Sequence, residues 1–376
     1  MKVILTHPQE AARLACREFV ERNIKPHAEL FDRNQEIPTD LIRKLAEHGY
    51  LGAGLPANSG GAQDMITYGL INEEIGRGCS SVRSLLTVHN MVGQAIARWG
   101  TTEHRQHWLP KLQRGEVIAA FALSEPNVGS DASRIETSAT RSGDDYILTG
   151  VKKWISFGQI ADLFLVFARC EDKPAAFLVE RNTPGLSLTP ITDLLGVRAS
   201  MIAELRLEDC RVPQQNLVGK VGFGITHVAA AALDQGQYSV AWGCVGILQA
   251  CLEACLAYTG QRKTFDNLLR SHQLIRRLIC DLTTNTHAAR LLCMQAGSLK
   301  DSKDPAAAVE TQIAKYFASR AAARAAGVAV QIHGANGCIP DYPVARYFRD
   351  AKIMEIIEGT NEIQQITIAD HVYHGF

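Results

Sequence analysis

Glu358 is the residue of this 376-residue sequence whose type and neighbours best suit a base. It follows Ile356 and Ile357 and precedes Gly359, a pattern that predicts the end or a kink of a helix. Because an apolar setting disfavours the charged form of a carboxyl group, we expect the pKa of Glu358 to be raised, which makes its carboxylate a stronger proton acceptor. In isolation, a glutamate near a helix end is more often a solvated surface residue.

Two further stretches carry residues suited to binding a ligand. Residues 121–131 (FALSEPNVGSD) follow a predicted strand, and their small, turn-forming residues would expose N–H groups and hydroxyls to an anionic or heteroaromatic ligand. A plain surface turn is the alternative. Residues 152–156 (KKWIS) set an indole beside a hydroxyl, a pair that could flank a planar cofactor, although a single tryptophan usually belongs to a core.

Composition limits the class of protein and of partner. The chain is 46% hydrophobic and 21% charged, with 39 basic and 39 acidic residues, which is typical of a globular protein. No basic run indicates nucleic acid or an anionic membrane as a partner. No segment approaches the roughly 18 apolar residues of a membrane helix, and the amino terminus lacks a signal-peptide core, so a cytoplasmic location is expected. Cys251 and Cys255 share a helix face without further ligands, so no metal site is predicted.

The elements that must position these residues fall into three regions. Helical periodicity dominates residues 1–115, short β-branched or aromatic segments bounded by turn residues fill 116–217, and alanine-rich helical runs follow over 218–376. We therefore predict a mainly α protein with a β insert, ending in a helical bundle. No Gly-x-Gly-x-x-Gly follows a strand and opens a helix, so a Rossmann nicotinamide site is not supported.

Five motifs in series resemble those of the acyl-CoA dehydrogenase superfamily, and the match covers essentially the whole chain. The resemblance implies an N-terminal α-helical domain, a middle β-barrel and a C-terminal four-helix bundle, with FAD as the cofactor and a homo-oligomer, a dimer or a tetramer, as the assembly. The motifs are SEPxxGSD at 124–131, WIS at 154–156, RKTF at 262–265 with His272 and Gln273, QIHGANG at 331–337, and EGT at 358–360.

The resemblance also implies roles for individual residues. Glu358 would remove the proton α to a thioester while hydride leaves the β-carbon for the flavin. The FAD-lining set would be Phe121, Leu123, Ser124, Gly129, Ser130, Trp154 and Ser156, with Thr360 and Glu362 at the phosphates. Residues that would reach the FAD, partly that of a neighbouring subunit, are Arg262, Thr264, Phe265, Gln273, Gln331, Gly334 and Ala335. The acyl substrate would meet Ser130, Asp234, Gln237 and Gly359.

Three stretches are similar to a narrower branch, the dehydrogenases that make polyketide extender units on an acyl carrier protein. They are 79–91, 239–247 and 350–359, and among methoxymalonyl-, hydroxymalonyl- and aminomalonyl-forming enzymes they most resemble the aminomalonyl-forming dehydrogenase of the colibactin pathway. This resemblance implies that seryl-carrier protein is oxidised toward aminomalonyl-carrier protein. It does not indicate the electron acceptor.

Departures from the family pattern bear on the substrate. Gln237 stands where the family often has an arginine, which favours a small polar acyl group over a fatty acyl-CoA. Asp266, Ala335 and Gln365 replace residues common in the family and are expected to loosen FAD contacts. The alternatives are a short-chain acyl-CoA dehydrogenase of catabolism, a flavin monooxygenase on the same fold, and a non-catalytic or DNA-associated flavoprotein. The presence of Glu358 and the neutral charge count against the last two.

Overall fold

The computed structural model of the protein describes residues 5–57, 60–62 and 64–374. Helices come first, strands follow, and long helices complete the chain. The helices are α1 (His7–Asn23), α2 (Ala28–Asn34), α3 (Thr39–Glu47), α4 (Met65–Gly78), α5 (Ser80–Trp99), α6 (Thr102–Gln113), α7 (Ala230–Thr259), α8 (Gln273–Asp301), α9 (Ala307–His333), α10 (Val344–Met354) and α11 (Asn361–His374). The strands are β1 (Ala119–Ala122), β2 (Ser138–Ser142), β3 (Asp145–Ile155), β4 (Leu163–Cys170), β5 (Lys173–Glu180), β6 (Leu186–Pro190), β7 (Ala203–Pro213), β8 (Leu217–Val218), β9 (Lys263–Thr264) and β10 (Asn267–Leu268).

Short polar side chains fix where the first helices begin. Thr6 and Gln9 form a capping box at the start of α1, which satisfies two backbone N–H groups that the helix itself cannot bond. Asp64 caps α4 by accepting from the Thr67 N–H at 2.8 Å and also accepts from the Gln9 side chain at 3.1 Å. The same carboxylate therefore starts one helix and ties it to another.

The middle region is one sheet with the strand order β6-β7-β3-β2-β4-β5-β8, and β1 pairs with β4. Most neighbours are antiparallel, whereas β1 and β2 pair parallel to β4. Alternate residues of β4 enter different cores: Phe164 and Val166 face a core built from the strands, whereas Leu163 and Leu165 join the large core shared with the helices. Because side chains alternate across a strand, β4 is buried on both faces and joins the sheet to the helices.

A buried ion pair fixes the loop that follows β1. Lys152 on β3 donates to the Glu125 carboxylate at 2.6 Å and to the Leu123 carbonyl oxygen at 3.1 Å, and both charged side chains are buried. Glu125 also accepts from the backbone N–H groups of Glu136 and Thr137. Burial alone would raise the pKa of Glu125, but Lys152 and these donors hold it below its ordinary value.

Helix α7 is the central helix of the C-terminal region, packed against α4, α5, α8, α9 and α10. Glycines allow α4 and α7 to approach closely, since a Cβ on Gly76 would lie 3.0 Å from the Cα of Gly243 and one on Gly246 would lie 2.3 Å from the Glu73 carbonyl oxygen. Cys251 and Cys255 of the same helix are both buried and unbridged, as small core side chains. The close approach explains why small residues are concentrated here.

The expectation that no segment reaches the apolarity of a membrane helix is wrong for this helix. Residues Gly224–Thr259 contain an 18-residue window of mean hydropathy 1.7 with few charges. Of that window 67% is buried inside the protein, because neighbouring helices surround α7 on most sides. A helix that is apolar all round is expected at such a position in a large core, and it is the one span of this kind within the described residues.

The predicted order of a helical region, a β region and a helical bundle is confirmed. Helices occupy the described chain up to Gln113, strands β1–β8 lie between Ala119 and Val218, and helices follow from Gly224. The limits 1–115, 116–217 and 218–376 stay predictions.

Replacing Lys152 by methionine is expected to lower the free energy of unfolding by about 3–5 kcal/mol, because it leaves the Glu125 carboxylate buried without its cation. Denaturant unfolding followed by circular dichroism measures the change. The matched control is Lys153→Met, whose ammonium is partly exposed and lies 3.9 Å from Glu204, so its loss costs less than about 1 kcal/mol. Equal effects of the two substitutions would contradict the assignment.

Candidate active site

Segments of all three regions meet around a cavity of about 570 Å³, called the central cavity below. Among the residues predicted as a site from the sequence, those that line it are Phe121, Leu123, Ser124, Gly129, Ser130, Trp154, Ser156, Gln237, Glu358, Gly359 and Thr360. Val88 of α5 and Leu233 of α7 complete the helical side of the wall. The cavity thus combines the loop after β1, strand β3, helix α7 and the turn between α10 and α11.

Glu358 lies in that turn with a left-handed backbone, φ 55°, and Gly359 follows with φ 85°. Helix α10 ends at Met354, so the helix terminates before the glutamate, as Gly359 predicts. A left-handed conformation is uncommon for a residue with a side chain and persists only where the surroundings hold it. The backbone at Glu358 therefore needs an external clamp.

Three side chains supply this clamp by binding the two carbonyl groups of the turn. Gln237 and Gln364 donate to the Glu358 carbonyl oxygen at 3.3 and 3.2 Å. The buried ammonium of Lys315 donates to the Gly359 carbonyl oxygen at 2.7 Å. Because these donors come from α7, α11 and α9, three helices jointly fix the orientation of the glutamate.

The carboxyl group of Glu358 lies over Gly236 of α7. A Cβ on Gly236 would sit 2.7 Å from Glu358 Oε2 and 2.8 Å from Met91 Sδ, so only glycine leaves room for the carboxylate here. The absence of a side chain at Gly236 is therefore a requirement of the site and not only of helix packing.

Arg83 is a buried guanidinium near this carboxyl group. It donates to the Thr87 hydroxyl at 2.7 Å and to Met354 Sδ at 3.3 Å, while its Nε has no partner among the described residues. No described carboxylate lies within ion-pair distance of Arg83, so this cation is compensated only at longer range, with Glu358 among the groups that act on it. A buried charge without a close partner is costly and marks a functional position.

Burial is the main influence on the Glu358 carboxyl group and raises the pKa of Glu358 to about 7. Arg83 and Lys315 act in the opposite direction, because nearby cations favour the carboxylate. Part of the surface of Glu358 remains accessible through the cavity. Its carboxyl group, however, is closely surrounded by protein atoms, and this burial raises its pKa. A base whose pKa lies near 7 is suited to accept a proton at neutral pH.

The strand side of the cavity suits a flat heteroaromatic group. Trp154 lies at a register shift of β3 with φ 65°, and its indole is 50% exposed although it lines the cavity. Bulges of this kind redirect side chains next to functional sites. Hydroxyls of Ser124 and Ser156 line the same wall, and nothing lies within 4 Å of a Cβ placed on Gly129. An exposed aromatic face beside hydroxyls is the lining that a planar cofactor needs.

The remaining predicted residues do not line the central cavity. Arg262, Thr264, Gly334 and Ala335 line a separate pocket of about 240 Å³. Asp234 of α7 forms an ion pair with Lys300, and its Oδ1 has no hydrogen-bond partner among the described residues. The others lie elsewhere on the helices or their connections: Phe265, exposed at 89%, Gln273 at the start of α8, Gln331 near the end of α9, and Glu362 in α11.

Sequence reasoning missed the residues behind the cavity. Lys315 lies on the buried stripe of α9 that includes Thr311, Ala318 and Ala322, and Arg83 lies in a run of α5 buried on all sides. A single Arg or Lys among small or uncharged residues at helical spacing was the available signal in both cases. Gln364 carried no comparable signal.

No group of three or more His, Cys, Asp or Glu side chains that could hold a metal ion occurs in residues 5–57, 60–62 and 64–374.

Three family models of acyl-CoA dehydrogenase match the chain in sequence order. The N-terminal domain matches residues 6–116, the middle domain 120–210 and the C-terminal domain 224–373. The short-chain specific acyl-CoA dehydrogenase of Rattus norvegicus mitochondria is 38% identical over 381 aligned residues, covering 100% of this chain and 92% of the relative.

Solved structures extend the similarity to cofactor-bound and carrier-linked proteins. A glutaryl-CoA dehydrogenase from Mycobacterium smegmatis in complex with FADH2 has a TM-score of 0.93 at 29% identity, over 99% of this chain and 96% of the other. FkbI, for biosynthesis of the methoxymalonyl extender unit of the polyketide Fk520, has a TM-score of 0.89 at 33% identity, over 97% and 99% of the two chains. The prolyl acyl carrier protein oxidase AnaB has a TM-score of 0.93 at 28% identity, over 99% and 100%.

Gly236→Ala is expected to lower the rate of substrate oxidation strongly while the fold persists, because the added methyl group must displace the Glu358 carboxyl group. Single-turnover absorbance of the cofactor gives the rate, and the melting temperature gives the stability. Gly327→Ala is the control, since a Cβ on that glycine meets only Phe348 at 3.8 Å, an ordinary contact. A Gly236→Ala protein with undiminished rate would show that the carboxyl group acts from another position.

Arg83→Met is expected to move the acid limb of the kcat/KM profile to higher pH. The cation favours the Glu358 carboxylate, so its loss raises the pKa of Glu358 further above about 7, and the ionised carboxylate appears only at higher pH. The profile is measured across pH 5–9, and Lys352→Met, which removes an exposed cation that is ion-paired with Glu355 and not buried beside Glu358, serves as the control. An unmoved limb in Arg83→Met would exclude this electrostatic role.

Site geometry and similarity lead to the same conclusion. A glutamate of raised pKa, a wall suited to a planar cofactor and matches along the full length of the chain occur together. The protein is an FAD-dependent oxidoreductase, and the chain belongs to the acyl-CoA dehydrogenase family.

Proposed function

We propose that this protein is a cytoplasmic dehydrogenase that oxidises a small acyl thioester held on an acyl carrier protein, with Glu358 as the base. The proposed substrate is a seryl group, oxidised toward the aminomalonyl extender unit of a polyketide or nonribosomal peptide, as in the colibactin-type branch. The observation that supports this chemistry is the position of Glu358. Its carboxyl group lies over Gly236 at the wall of the central cavity and has a pKa of about 7.

A free hydrogen-bond donor accompanies the base. Among the described residues, the main-chain N–H of Glu358 has no acceptor. A thioester oxygen accepting from this N–H would gain stabilisation as negative charge develops on it, and its α-proton would lie close to the carboxylate of the same residue. One residue can thus both stabilise the enolate oxygen and accept the proton.

The chemistry balances for a seryl thioester. Glu358 accepts the α-proton, and hydride leaves the hydroxyl-bearing β-carbon. FAD, when bound, supplies the acceptor for that hydride and its two electrons. The resulting enol tautomerises to the semialdehyde, so the hydroxyl carbon is oxidised by one level. A further oxidation to the malonyl level belongs to another enzyme.

The lining of the cavity supports a small polar acyl group. Gln237 lines the cavity and uses its Nε2 to hold the Glu358 carbonyl oxygen, so it presents a neutral amide where an arginine is common in the family. Its position explains how the substitution is tolerated, because the amide stabilises the catalytic turn. A neutral amide can also pair with a hydroxyl or amino group of the substrate.

Similarity supports the carrier protein as the group that bears the acyl chain. FkbI serves extender-unit biosynthesis and AnaB is a carrier-protein oxidase, and both align with nearly the whole chain. The second candidate is a short-chain acyl-CoA dehydrogenase of catabolism, which the 38% identity to the rat mitochondrial enzyme favours.

The cofactor contacts proposed here fall into two sets. Ser124, Trp154, Ser156 and Thr360 would hold the FAD of the same chain, and the separate pocket with Arg262 and Thr264 would contact that of a second copy. The family is typically homo-oligomeric. Phe265, next to that pocket in the chain, is 89% exposed, and its covering by a second copy of the protein would explain an apolar side chain at this position.

Anaerobic titration of the flavin absorbance tests the proposed function. Seryl-carrier protein is expected to bleach the flavin, and butyryl-CoA is expected to do so poorly. Glu358→Gln should slow bleaching by at least about 100-fold, the usual contribution of a positioned base. Glu355→Gln is the control, since this glutamate of the same turn is ion-paired with Lys352 and lies outside the cavity wall.

The outcomes separate the candidates. Bleaching by butyryl-CoA alone would assign the protein to acyl-CoA catabolism and reject the carrier-protein proposal. Bleaching by a glyceryl- but not a seryl-carrier protein would reject the seryl group while retaining the carrier.

A further inference from the structure

Aromatic and basic side chains form a patch where α5 ends and the segment leading into α7 begins. The ring of Trp99 meets Phe223 edge-on at 5.7 Å and His227 at 4.9 Å between centroids, and Phe223 stacks on His227 at 4.0 Å. The Arg98 guanidinium lies 6.0 Å from the Trp99 ring centroid and the Lys220 ammonium 5.9 Å from that of Phe223. These five residues are called the entry patch.

The two cations of the entry patch carry uncompensated charge. Arg98 and Lys220 are exposed, and neither has a carboxylate within ion-pair distance among the described residues. Some exposed cations of the N-terminal helices, such as Arg22 and Arg43, are ion-paired within their own helices, whereas Arg33 of α2 is as unpaired as Arg98 and Lys220 among the described residues. The three aromatic rings are partly buried, so the patch presents two exposed charges beside a smaller apolar area.

The entry patch lies a short distance along the chain from a residue of the cavity wall. His227 belongs to a π-helical turn, Gly224–Ala229, that runs directly into α7. Leu233, which lines the cavity, follows His227 by six residues, or roughly 9 Å of helix. Turns of π-helix are rare and frequent at functional sites, since they widen a helix locally.

A second contact ties the patch to the same side of α7. Lys300 of α8 is ion-paired with Asp234, the neighbour of Leu233. The pKa of Lys300 is lowered, first by burial and also by Arg98, so the Arg98 cation lies near this pair. Arg98 therefore stands beside the stretch of α7 that lines the cavity.

We propose that the entry patch docks the acidic face of the acyl carrier protein whose thioester enters the central cavity. The inference rests on the proposed function and names the surface that its partner would use. Unpaired cations accelerate and orient the approach of an acidic partner, and the accessible parts of the three aromatic rings supply the apolar anchors of an interface. The short path along α7 brings the docked carrier's prosthetic arm to the cavity.

The double variant Arg98→Glu/Lys220→Glu tests the patch through a KM-against-kcat split. We expect KM for seryl-carrier protein to rise on the order of tenfold with kcat unchanged, because rim charges act on encounter and not on chemistry. The seryl thioester of N-acetylcysteamine, which has no carrier, should be oxidised equally by both proteins. Raising the salt concentration should raise KM of the wild type toward that of the variant.

Arg33→Glu is the matched control. Arg33 is an exposed cation of α2, a helix that packs beside Arg198–Ser200. Ser84 at the start of α5 bonds Ser200, whereas Arg98 lies 14 residues further along, roughly 21 Å of helix. The control reverses a charge at the opposite end of α5 and should leave KM unchanged.

Each result decides the proposal. Unchanged KM for the carrier substrate in the double variant would overturn the entry patch and leave the proposed function intact. If the wild type oxidises butyryl-CoA but no carrier thioester, both the docking role and the proposed function are overturned. A raised KM for butyryl-CoA in the double variant would then assign the patch to binding the phosphates of coenzyme A. Loss of rate with the N-acetylcysteamine thioester would show a structural defect and reject the docking role.

Discussion

The left-handed turn at Glu358 and Gly359 is the constraint on which the site depends. A side chain with this backbone geometry would relax unless its carbonyl groups were held, and they are held by Gln237, Gln364 and Lys315. Each donor belongs to a different helix, so the packing of α7, α9 and α11 directly sets the orientation of Glu358. The bundle is therefore the positioning device for the carboxyl group, and the β region supplies the opposite wall.

Two buried cations, Arg83 and Lys315, offset part of the rise in pKa that burial causes at the Glu358 carboxyl group. Burial favours the protonated acid, which cannot accept a proton, whereas full exposure would make the carboxylate too weak a base. Arg83 and Lys315 offset part of the burial effect, and the pKa of Glu358 settles at about 7. Lys315 has both tasks, because its ammonium also binds the Gly359 carbonyl oxygen. One side chain, Lys315, thus affects both the orientation of Glu358 and its pKa.

The three-region fold and the end of a helix just before Glu358 could be predicted from the sequence, but the side chains that hold this turn could not. Gly359, directly after Glu358, indicates the end of a helix, and SEPNVGSD indicates a loop beside a strand, since these signals are local. The bonds of Lys315 and Gln237 join helices far apart in sequence, and no local pattern encodes such a pairing. Gln237 was predicted as a substrate contact from its position in a motif. The structure adds a bond to the Glu358 carbonyl oxygen, which only the packed bundle shows.

The apolar character of helix α7 has a consequence for how the chain acquires its fold. Its surface is covered by α4 and α5, made earlier, and by α8, α9 and α10, which follow it along the chain. During synthesis this segment therefore emerges before most of its cover exists, and it is apolar enough to attract chaperones or a lipid surface. Helix α7 is fully covered only after α8, α9 and α10 have been synthesised. The N-terminal and C-terminal helices must therefore pack around it together.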